Sequence, residues 1–306
     1  MTSATDIDRA AFVPRPATLY AVATPIGNLR DITLRALDVL RAVDCVAAED
    51  TRVTSGLLAH FGIVVKTIAL HAHNEKQQAV RIVALLAAGK NVALVTDAGT
   101  PGLSDPGAEL MAAVRSAGFA IEPIPGPSAL TAALSVAGWL AVPFAFNGFL
   151  PPRRSARRAA LDRIRDAAPA QIFFEAPHRI VEALGDLAAI LGAGRRITIA
   201  RELTKRFETV HETTLGSAPE WIVADADRQR GEFVLIVEGA PEREEASDCT
   251  PGTEDMRVFN LLRVAVPASK AAKLAAEITG KPRDAFYRLA IGESAATAAR
   301  DRTEPE

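Results

Sequence analysis

Short apolar runs with strand-like composition alternate with helix-like stretches along most of the chain. In the first half, these runs lie at Leu19–Ala23, Cys45–Ala48, Lys66–Leu70, Val92–Thr96 and Ala120–Ile124. Alternation of this kind is typical of α/β domains that are built on a mainly parallel sheet. A second α/β block, from about residue 142 to residue 239, contains similar runs at Gln171–Phe174, Arg196–Ala200 and Phe233–Val237.

Changes in composition along the chain divide it into five predicted parts. The 306 residues exceed what a single hydrophobic core usually holds, which favours two main domains. We predict a flexible N-terminus at residues 1–17, an N-terminal α/β domain at 18–140, a C-terminal α/β domain at 141–240, an acidic linker at 241–256, and a small helical module with a tail at 257–306.

The predicted C-terminal module has the pattern of two short helices. The stretch Ser269–Ile278 is rich in Ala and Lys, Gly280 is a typical helix stop, and Pro282 is a typical helix start. This pattern predicts a helix-turn-helix-like unit. A simple helical hairpin packed on the main body fits the pattern equally well.

The composition of the chain excludes several classes of protein. With 49% hydrophobic and 24% charged residues, we expect a soluble globular protein rather than a disordered or collagen-like one. The net charge of −2 does not draw the whole molecule to nucleic acid or membrane, so a polyanion would need a local basic patch. The two cysteines, Cys45 and Cys249, allow at most one disulfide, and we therefore expect a cytoplasmic protein.

The stretch from Gly126 to Pro152 contains no charged residue and raises the alternative of a membrane span. Gly138, Pro143 and the Pro151–Pro152 pair interrupt it, so we predict a buried helix followed by a strand and a turn. No membrane partner is therefore expected.

Each strand-like run of the first domain ends in a loop of polar, Gly or Pro residues. These loops are Thr24–Asn28, Glu49–Arg52, His71–Glu75, Asp97–Pro101 and Pro125–Ser128. In open α/β sheets, ligands bind at the carboxyl ends of the strands. We therefore predict that the five loops form one binding site at one edge of the sheet.

The loop Asp97–Gly107 carries the strongest local signal. Its glycines allow the backbone to approach a ligand, and Ser104 or Asp105 followed by Pro106 predicts the start of a helix. The loop has neither the Gly-Lys-Ser/Thr of a P-loop nor the spacing of a G-x-G-x-x-G motif, which disfavours ATP and NAD. A ligand with an adenosine and no pyrophosphate fits this loop better.

A series of motifs resembles the tetrapyrrole methylase superfamily. Within it, the motifs closely resemble the bacterial enzymes that methylate the 2′-hydroxyl of a cytidine in 16S ribosomal RNA. The likeness extends from Leu19 to Gly239, and Ser269–Tyr287 resembles the small C-terminal helical domain of those enzymes. The motifs are Thr24–Thr33, Ala48–Arg52, His73–Glu75, Asp97–Gly107, Pro125–Ala129, Phe174–Arg179, Arg201–Lys205 and Gly231–Phe233.

The resemblance implies an S-adenosylmethionine-dependent methyltransferase that acts on 16S rRNA of the small ribosomal subunit. It also implies an α/β fold with two domains of the tetrapyrrole methylase type, the cofactor cleft between them, and a homodimer. By motif position, the cofactor would contact Pro25, Ile26, Gly27, Asp97, Ala98, Gly99, Thr100, Ser104, Ser128, Ala129, Phe174, Glu175, Leu203, Glu232 and Phe233.

Four side chains are catalytic candidates for such a reaction. Lys205 could act as a base or hold a developing oxyanion if its neighbours lower its pKa. Glu49, Asp50 and Glu75 lie in loops at strand ends and could orient the ribose or accept the proton. Ordinary ion pairs, of Lys205 with nearby carboxylates or of Glu49 or Asp50 with Arg52, explain these residues equally well.

The strongest nucleic-acid signal is an arginine cluster, which comprises Arg153, Arg154, Arg157 and Arg158. Together with Arg52, these side chains are predicted to bind RNA phosphate groups. A solvated helix face is the alternative explanation. No aromatic side chains interleave with the cluster, so we expect contact with the backbone of folded RNA rather than base stacking.

The histidines do not indicate a metal site. His71 and His73 alternate across an extended backbone and have no cysteine nearby. We therefore predict that no metal is bound.

Two other functions are kept as alternatives. The first is methyl transfer to a corrinoid or tetrapyrrole small molecule, in which the arginine cluster would bind the carboxylates of the ring. The motifs at residues 24–28 and 48–52 and the C-terminal module argue against this function. The second is a non-enzymatic DNA-binding regulator with a metabolite-sensing α/β body. The negative net charge and the weak basicity of the C-terminal module argue against that function.

Overall fold

A computed structural model describes residues 12–71, 73–139, 143–241 and 252–287. The chain divides into two compact units, Met1–Ala240 and Pro241–Glu306. The predicted boundary between residues 140 and 141 lies outside the described residues, as do residues 1–11 of the predicted N-terminus.

The first sheet of the larger unit has five parallel strands. They are β1 (Thr18–Val22), β2 (Cys45–Ala48), β3 (Lys66–Ala69), β4 (Val92–Val95) and β5 (Ala120–Ile124), in the order β3-β2-β4-β1-β5. All residues of β2 and β4 are buried, as expected for central strands that are covered on both faces. Each predicted run agrees with a strand to within one residue at either end.

Helices cover both faces of this sheet. They are α1 (Leu34–Ala42), α2 (Thr51–His60), α3 (Glu75–Ala87) and α4 (Ala108–Ser116). Because successive side chains of a strand point to opposite faces, Tyr20 and Val22 pack with α1 and α2, whereas Leu19 packs with α3 and α4. Burial on both faces holds the carboxyl ends of the five strands in one row.

The second sheet is mixed. Its strands are β6 (Phe144–Phe149), β7 (Ala170–Glu175), β8 (Arg196–Arg201), β9 (Thr209–Thr214) and β10 (Phe233–Val237), in the order β6-β7-β10-β8-β9. Only the β6–β7 pair is parallel, and the other three pairs are antiparallel. Strand β9 has no counterpart among the predicted runs, because this edge strand alternates between half-buried and exposed residues and contains three threonines.

The two faces of the second sheet are covered by different parts of the chain. One face packs against α6 (Arg154–Arg163), α7 (Ile180–Leu191) and α8 (Ala218–Val223). The other face packs against α5 (Ala129–Val136), which follows the last strand of the first sheet. Helix α5 therefore joins the two sheets of the larger unit through buried apolar contacts.

The smaller unit contains α9 (Thr253–Ala265) and α10 (Ala268–Thr279). Gly280 follows α10 with φ +72°, the left-handed conformation predicted for a helix stop, and residues 283–287 are again helical. Phe259 and Phe286 are fully buried against the alanines of α10. The predicted end of the linker at residue 256 is wrong, because α9 already begins at Thr253. Acidic residues in its first turn, Glu254 and Asp255, favour a helix N-terminus at this position.

None of the helices in the described part of the chain is long and apolar enough to cross a membrane. The uncharged stretch that raised this alternative contains the eight-residue helix α5 and the strand β6.

Candidate active site

A cavity of about 390 Å³ lies where the loops of the first sheet meet the second sheet. From the first sheet and α5, it is lined by Ile26, Glu49, Asp97, Ala98, Gly99, Thr100, Leu103, Asp105, Ser128 and Ala129. From the second sheet and its loops, it is lined by Phe149, Phe174, Glu175, Ala176, Pro177, Ala200, Leu203, Glu232, Phe233 and Val234. The predicted position at the carboxyl edge of the first sheet agrees with the cavity for the loops after β1, β2, β4 and β5. The prediction is wrong for the loop after β3, His71–Glu75, because none of its described residues lines the cavity.

Hydrogen bonds between neighbouring loops fix this edge of the first sheet. Thr24 and Gly99 exchange backbone hydrogen bonds, with N–O distances of 2.9 and 3.0 Å. The amide of Asp50 donates to Oδ1 of Asp97 at 3.0 Å, and the amide of Asp97 donates to Oε2 of Glu49 at 3.3 Å. The loops after β1, β2 and β4 are therefore bonded to one another.

A buried carboxylate fixes the end of the loop Asp97–Gly107. Oε1 of Glu75 accepts hydrogen bonds from the amides of Gly107 and Leu110, both at 3.0 Å. Helix α4 begins after Gly107, so the predicted helix start at Ser104 or Asp105 is wrong. A side chain from α3 satisfies the free amides of α4, which sequence spacing alone did not indicate.

Glu75 is therefore not suited to the catalytic role that we predicted for it. Its side chain is buried, is used by two backbone amides, and is not among the residues that line the cavity. Its contacts indicate that it positions the loop.

Lys205 lies beside the cavity and is fixed by two carboxylates. Its Nζ lies 2.8 Å from Glu202 and 2.9 Å from Glu232. The Lys205 side chain also packs closely on Gly27, where an added Cβ would lie 2.4 Å from Cγ of Lys205. Burial alone would lower the pKa of Lys205, but the two carboxylates raise it. Lys205 is therefore held in its charged form, contrary to the lowered pKa that a lysine base requires.

Asp50 and Arg52 form a surface ion pair at the start of α2. The Asp50 carboxylate caps the helix by accepting from the amide of Arg52, and the two side chains are 2.6 Å apart. The hydrogen bond from the Arg52 side chain lowers the pKa of Asp50 to about 2. So weak a base is unsuited to accept a proton from a hydroxyl.

Glu49 is the one of the four predicted catalytic residues that lines the cavity. Burial is the main cause of a raised pKa for its carboxyl, and the negative charges of Asp97 and Asp50 add to the effect.

Asp105 also lines the cavity, although the sequence had indicated only a helix cap at this position. Burial and the negative charge of Glu49 raise its pKa to about 6. Ser104, directly before it, has φ +67°, a conformation that is uncommon outside glycine.

Most of the residues predicted to contact the cofactor surround the cavity. Pro25, Gly27 and Ser104 are the predicted residues that are not part of its lining, and they adjoin residues that are. Two polar atoms at the wall, Oε2 of Glu175 and Oγ of Ser128, have no hydrogen-bond partner within the described structure. Glu175 is only 1% exposed, so its free oxygen is an acceptor available to a ligand in the cavity.

Three members of the arginine cluster lie on α6 and Arg153 directly precedes this helix, but their surroundings differ. Arg157 is fully buried and lies 2.8 Å from Asp186. It cannot reach an RNA phosphate, so including Arg157 in the predicted RNA-binding set is a mistake. Arg154 and Arg158 also pair with Asp186 but remain 73% and 41% exposed.

No group of three or more His, Cys, Asp or Glu side chains in the described ranges is arranged to hold a metal ion. Cys45 is a buried free thiol in β2, and Cys249 lies outside those ranges.

The two sheets and the cavity between them define the class of protein. The sequence model for Tetrapyrrole (Corrin/Porphyrin) Methylases matches residues 18–219, and the chain belongs to this family. A second model, described as the RsmI C-terminal HTH domain, matches residues 250–294.

Curated relatives match this chain over nearly their whole length, and the three described here bear the name Ribosomal RNA small subunit methyltransferase I. The relative from Xylella fastidiosa is 52% identical over 89% of this chain and 98% of its own length. The relative from Escherichia coli O157:H7 is 48% identical over 89% of this chain and 94% of its own length. The relative from Pseudomonas aeruginosa is 46% identical over 90% of this chain and 96% of its own length. The chain is therefore a methyltransferase, and it uses a methyl donor.

Solved structures of more distant proteins have the same fold. Cobalt precorrin-4 methyltransferase, a cobalamin biosynthetic enzyme, has a TM-score of 0.55 at 16% identity, over 72% of this chain and 95% of that one. Uroporphyrin-III-C-methyltransferase from Thermus thermophilus has a TM-score of 0.50 at 20% identity, over 72% and 94% of the two chains. At these identities the likeness concerns the fold alone.

Proposed function

We propose that this protein transfers a methyl group from S-adenosylmethionine to the 2′-hydroxyl of a cytidine in 16S rRNA of the small ribosomal subunit, in the cytoplasm. The observation that carries the proposal is 52% identity over 98% of a relative named Ribosomal RNA small subunit methyltransferase I. The choice of ribose and cytidine rests on the motif resemblance, as does the proposal that the protein is a homodimer.

The cavity fits a cationic ligand with polar ends. Its volume lies in the usual range for small-molecule sites, and its wall combines apolar side chains with carboxylates. The free oxygens of Glu175 and Ser128 supply an acceptor and a hydroxyl for the polar groups of the donor. Asp97, which already accepts an amide on Oδ1, has a second oxygen for a ribose hydroxyl or the ammonium group.

S-adenosylmethionine, when bound, supplies a methyl group on a positively charged sulfur. The chain contributes position and charge. The bonded loops after β1, β2 and β4 hold one wall, and the pair formed by Arg179 and Glu175 holds the other, because Arg179 also donates to the carbonyl of Leu150 at 2.9 Å. Correct alignment of two reactants can supply an effective molarity of about 10⁵ M or more.

The RNA surface of the proposal consists of the exposed basic side chains near α6 and α2. It comprises Arg52, Arg153, Arg154 and Arg158. Arg52 is 89% exposed despite its ion pair with Asp50. A surface pair of this kind has little stability, so Arg52 can exchange the Asp50 carboxylate for a phosphate.

Methyl transfer to small subunits from a strain that lacks the corresponding gene tests this function. Tritiated S-adenosylmethionine is supplied, and the RNA is digested with alkali to map 2′-O-methylated sites. A single labelled cytidine is the expected result. Label on a base, or no label on RNA despite donor binding in calorimetry, refutes the proposal, and the second result moves the acceptor to a corrinoid-like small molecule.

Two variants separate the donor site from the RNA surface. Asp97→Ala should weaken donor binding at least tenfold in calorimetry, because it removes a carboxylate that lies at the cavity and orders the loop after β2. The triple change of Arg153, Arg154 and Arg158 to Ala should leave donor affinity unchanged. It should reduce the slope of log affinity for RNA against log salt by about 2 to 3, if each side chain contacts one phosphate.

A further inference from the structure

The cavity contains acidic groups with different surroundings, and these decide which of them can accept a proton. Glu175 is held by Arg179 at 2.5 Å, and Glu232 by Lys205 at 2.9 Å. Asp97 accepts the amide of Asp50. Each of these three carboxylates therefore already has a cation or a backbone amide as its partner.

Asp105 and Glu49 lie at the cavity without such a cation. Both carboxyls are disfavoured in the charged form by burial, and each is near the negative charge of Asp97. Two carboxylates in one site resist being charged together, so the proton affinity of one is raised by the other. The second sheet adds the Glu175–Arg179 and Glu232–Lys205 pairs to the groups around the cavity.

Asp105 differs from Glu49 in its polar partner: within the described structure, its carboxyl lies beside the Thr96 side chain and is not bound by a backbone amide of another loop. Glu49 uses Oε2 to accept the amide of Asp97 and so helps to hold the loops together. Asp105 follows Ser104, whose φ of +67° turns the chain, and a Cβ on Gly148 of β6 would lie 2.9 Å from the Ser104 hydroxyl oxygen. The turn is therefore packed against the second sheet, and Asp105 lies at the cavity wall.

We propose that Asp105, at the wall of the cavity, is a catalytic residue that accepts the proton of the ribose 2′-hydroxyl. This assignment rests on the proposed function. As the ribose oxygen forms its bond to the methyl carbon, the carbon–sulfur bond breaks and its electron pair stays on sulfur. The hydroxyl proton passes to the Asp105 carboxylate and is later released to water.

The assignment predicts a pH dependence with a definite sign. Because the base must be deprotonated, kcat/KM for the donor, which reports groups of the free protein, should rise with pH up to about 6 and level off above it. Glu49→Gln removes the neighbouring negative charge, so the same rise should occur at lower pH. Asp105→Asn should lower the rate by about 10²-fold to 10⁴-fold and remove the rise, while Asp105→Glu keeps part of the rate and the rise.

Calorimetry supplies a readout that does not depend on turnover. When the positively charged donor binds near pH 6, it should drive protons off Asp105. Titrations in two buffers with different ionisation enthalpies should therefore show proton release for the natural protein and a smaller release for Asp105→Asn. Asp38→Asn is the matched control, since Asp38 is a half-exposed partner of Arg41 on α1, and it should leave the rate, pH profile and proton release unchanged.

The outcomes separate this assignment from the proposed function. If the natural protein methylates a ribose hydroxyl and Asp105→Asn keeps its rate and pH profile, the assignment is overturned and the function stands. If the natural protein does not methylate a ribose hydroxyl, both are overturned. Loss of rate in Asp105→Asn with donor affinity retained and proton release reduced supports the assignment.

Discussion

Asp186 should contribute to the stability of the larger unit far more than its surface neighbours do. Its carboxylate is 3% exposed and lies 2.8 Å from the fully buried Arg157. Asp186→Ala leaves the Arg157 charge buried, and removing one partner of a buried ion pair typically costs about 3 to 5 kcal/mol. Glu182 stays 3.1 Å from Arg157 but is 71% exposed, so we expect a loss near the lower end, about 3 kcal/mol.

The assay is thermal and urea unfolding of the purified protein, followed by circular dichroism. A loss of about 3 kcal/mol corresponds to a fall in Tm of about 6 to 12 °C for a unit of this size. Arg154→Ala is the matched control, because its side chain is 73% exposed and 3.5 Å from Asp186, and it should cost about 1 kcal/mol or less. The double change Arg157→Met with Asp186→Leu removes both charges and should restore most of the lost stability.

The pH dependence of the same variant has a definite sign. Burial alone would raise the pKa of Asp186, but Arg157 and Arg158 lower it below its ordinary value. A lowered pKa gives stability that is complete above the unfolded-state value of about 3.9 and is lost as pH falls through the folded-state value. The difference between the natural protein and Asp186→Ala should therefore be constant near neutral pH and shrink below about pH 4. Equal Tm values for Asp186→Ala and Arg154→Ala would refute this reasoning.

Three further predictions concern close contacts in the larger unit. Gly27→Ala should displace Lys205 and weaken donor binding by about 1 to 3 kcal/mol in calorimetry. Adding Lys205→Ala should recover part of this loss. An unchanged affinity in Gly27→Ala would contradict the tight contact. Gly239→Ala should lower the free energy of unfolding in urea by at least about 3 kcal/mol, since a Cβ there would lie 1.8 Å from a backbone oxygen. Gly185→Ala in α7 is the control: its Cβ meets nothing within 4 Å, so this variant should be neutral or stabilising. Glu75→Ala should lower the free energy of unfolding by about 1 to 3 kcal/mol, and Glu75→Gln by much less, because Gln keeps the acceptor oxygen. Equal losses in the two variants would show that the charge matters more than the hydrogen bonds.

The strands of the first sheet could be predicted from the sequence because they are buried on both faces. Central parallel strands are continuous apolar runs, and β2 and β5 agree with their predicted bounds. Strand β9 could not be found in this way. It lies at a sheet edge and is half exposed, so threonines and charged residues replace the apolar run.

The position of the site could also be predicted, whereas the roles of its side chains could not. Parallel strands bring their carboxyl ends to one edge whatever their side chains, so the loops after β1, β2 and β4 had to meet. Ion pairs depend on distances across the folded chain. The pairing of Lys205 with Glu202, three residues away, was open to prediction, but its second partner, Glu232, and the pairing of Arg157 with Asp186 were not.

The acidity of the cavity has a consequence for turnover. Among the described residues that line it, five are acidic and none is Lys, Arg or His; the five are Glu49, Asp97, Asp105, Glu175 and Glu232. For the proposed donor, loss of the methyl group converts a sulfonium into a neutral thioether. Carboxylates attract the charged sulfur of the first and not the neutral sulfur of the second, so this part of the electrostatic attraction is lost on methyl transfer, while that of the ammonium group remains. The spent cofactor should therefore compete weakly with fresh donor, and inhibitors of this site should carry a permanent positive charge.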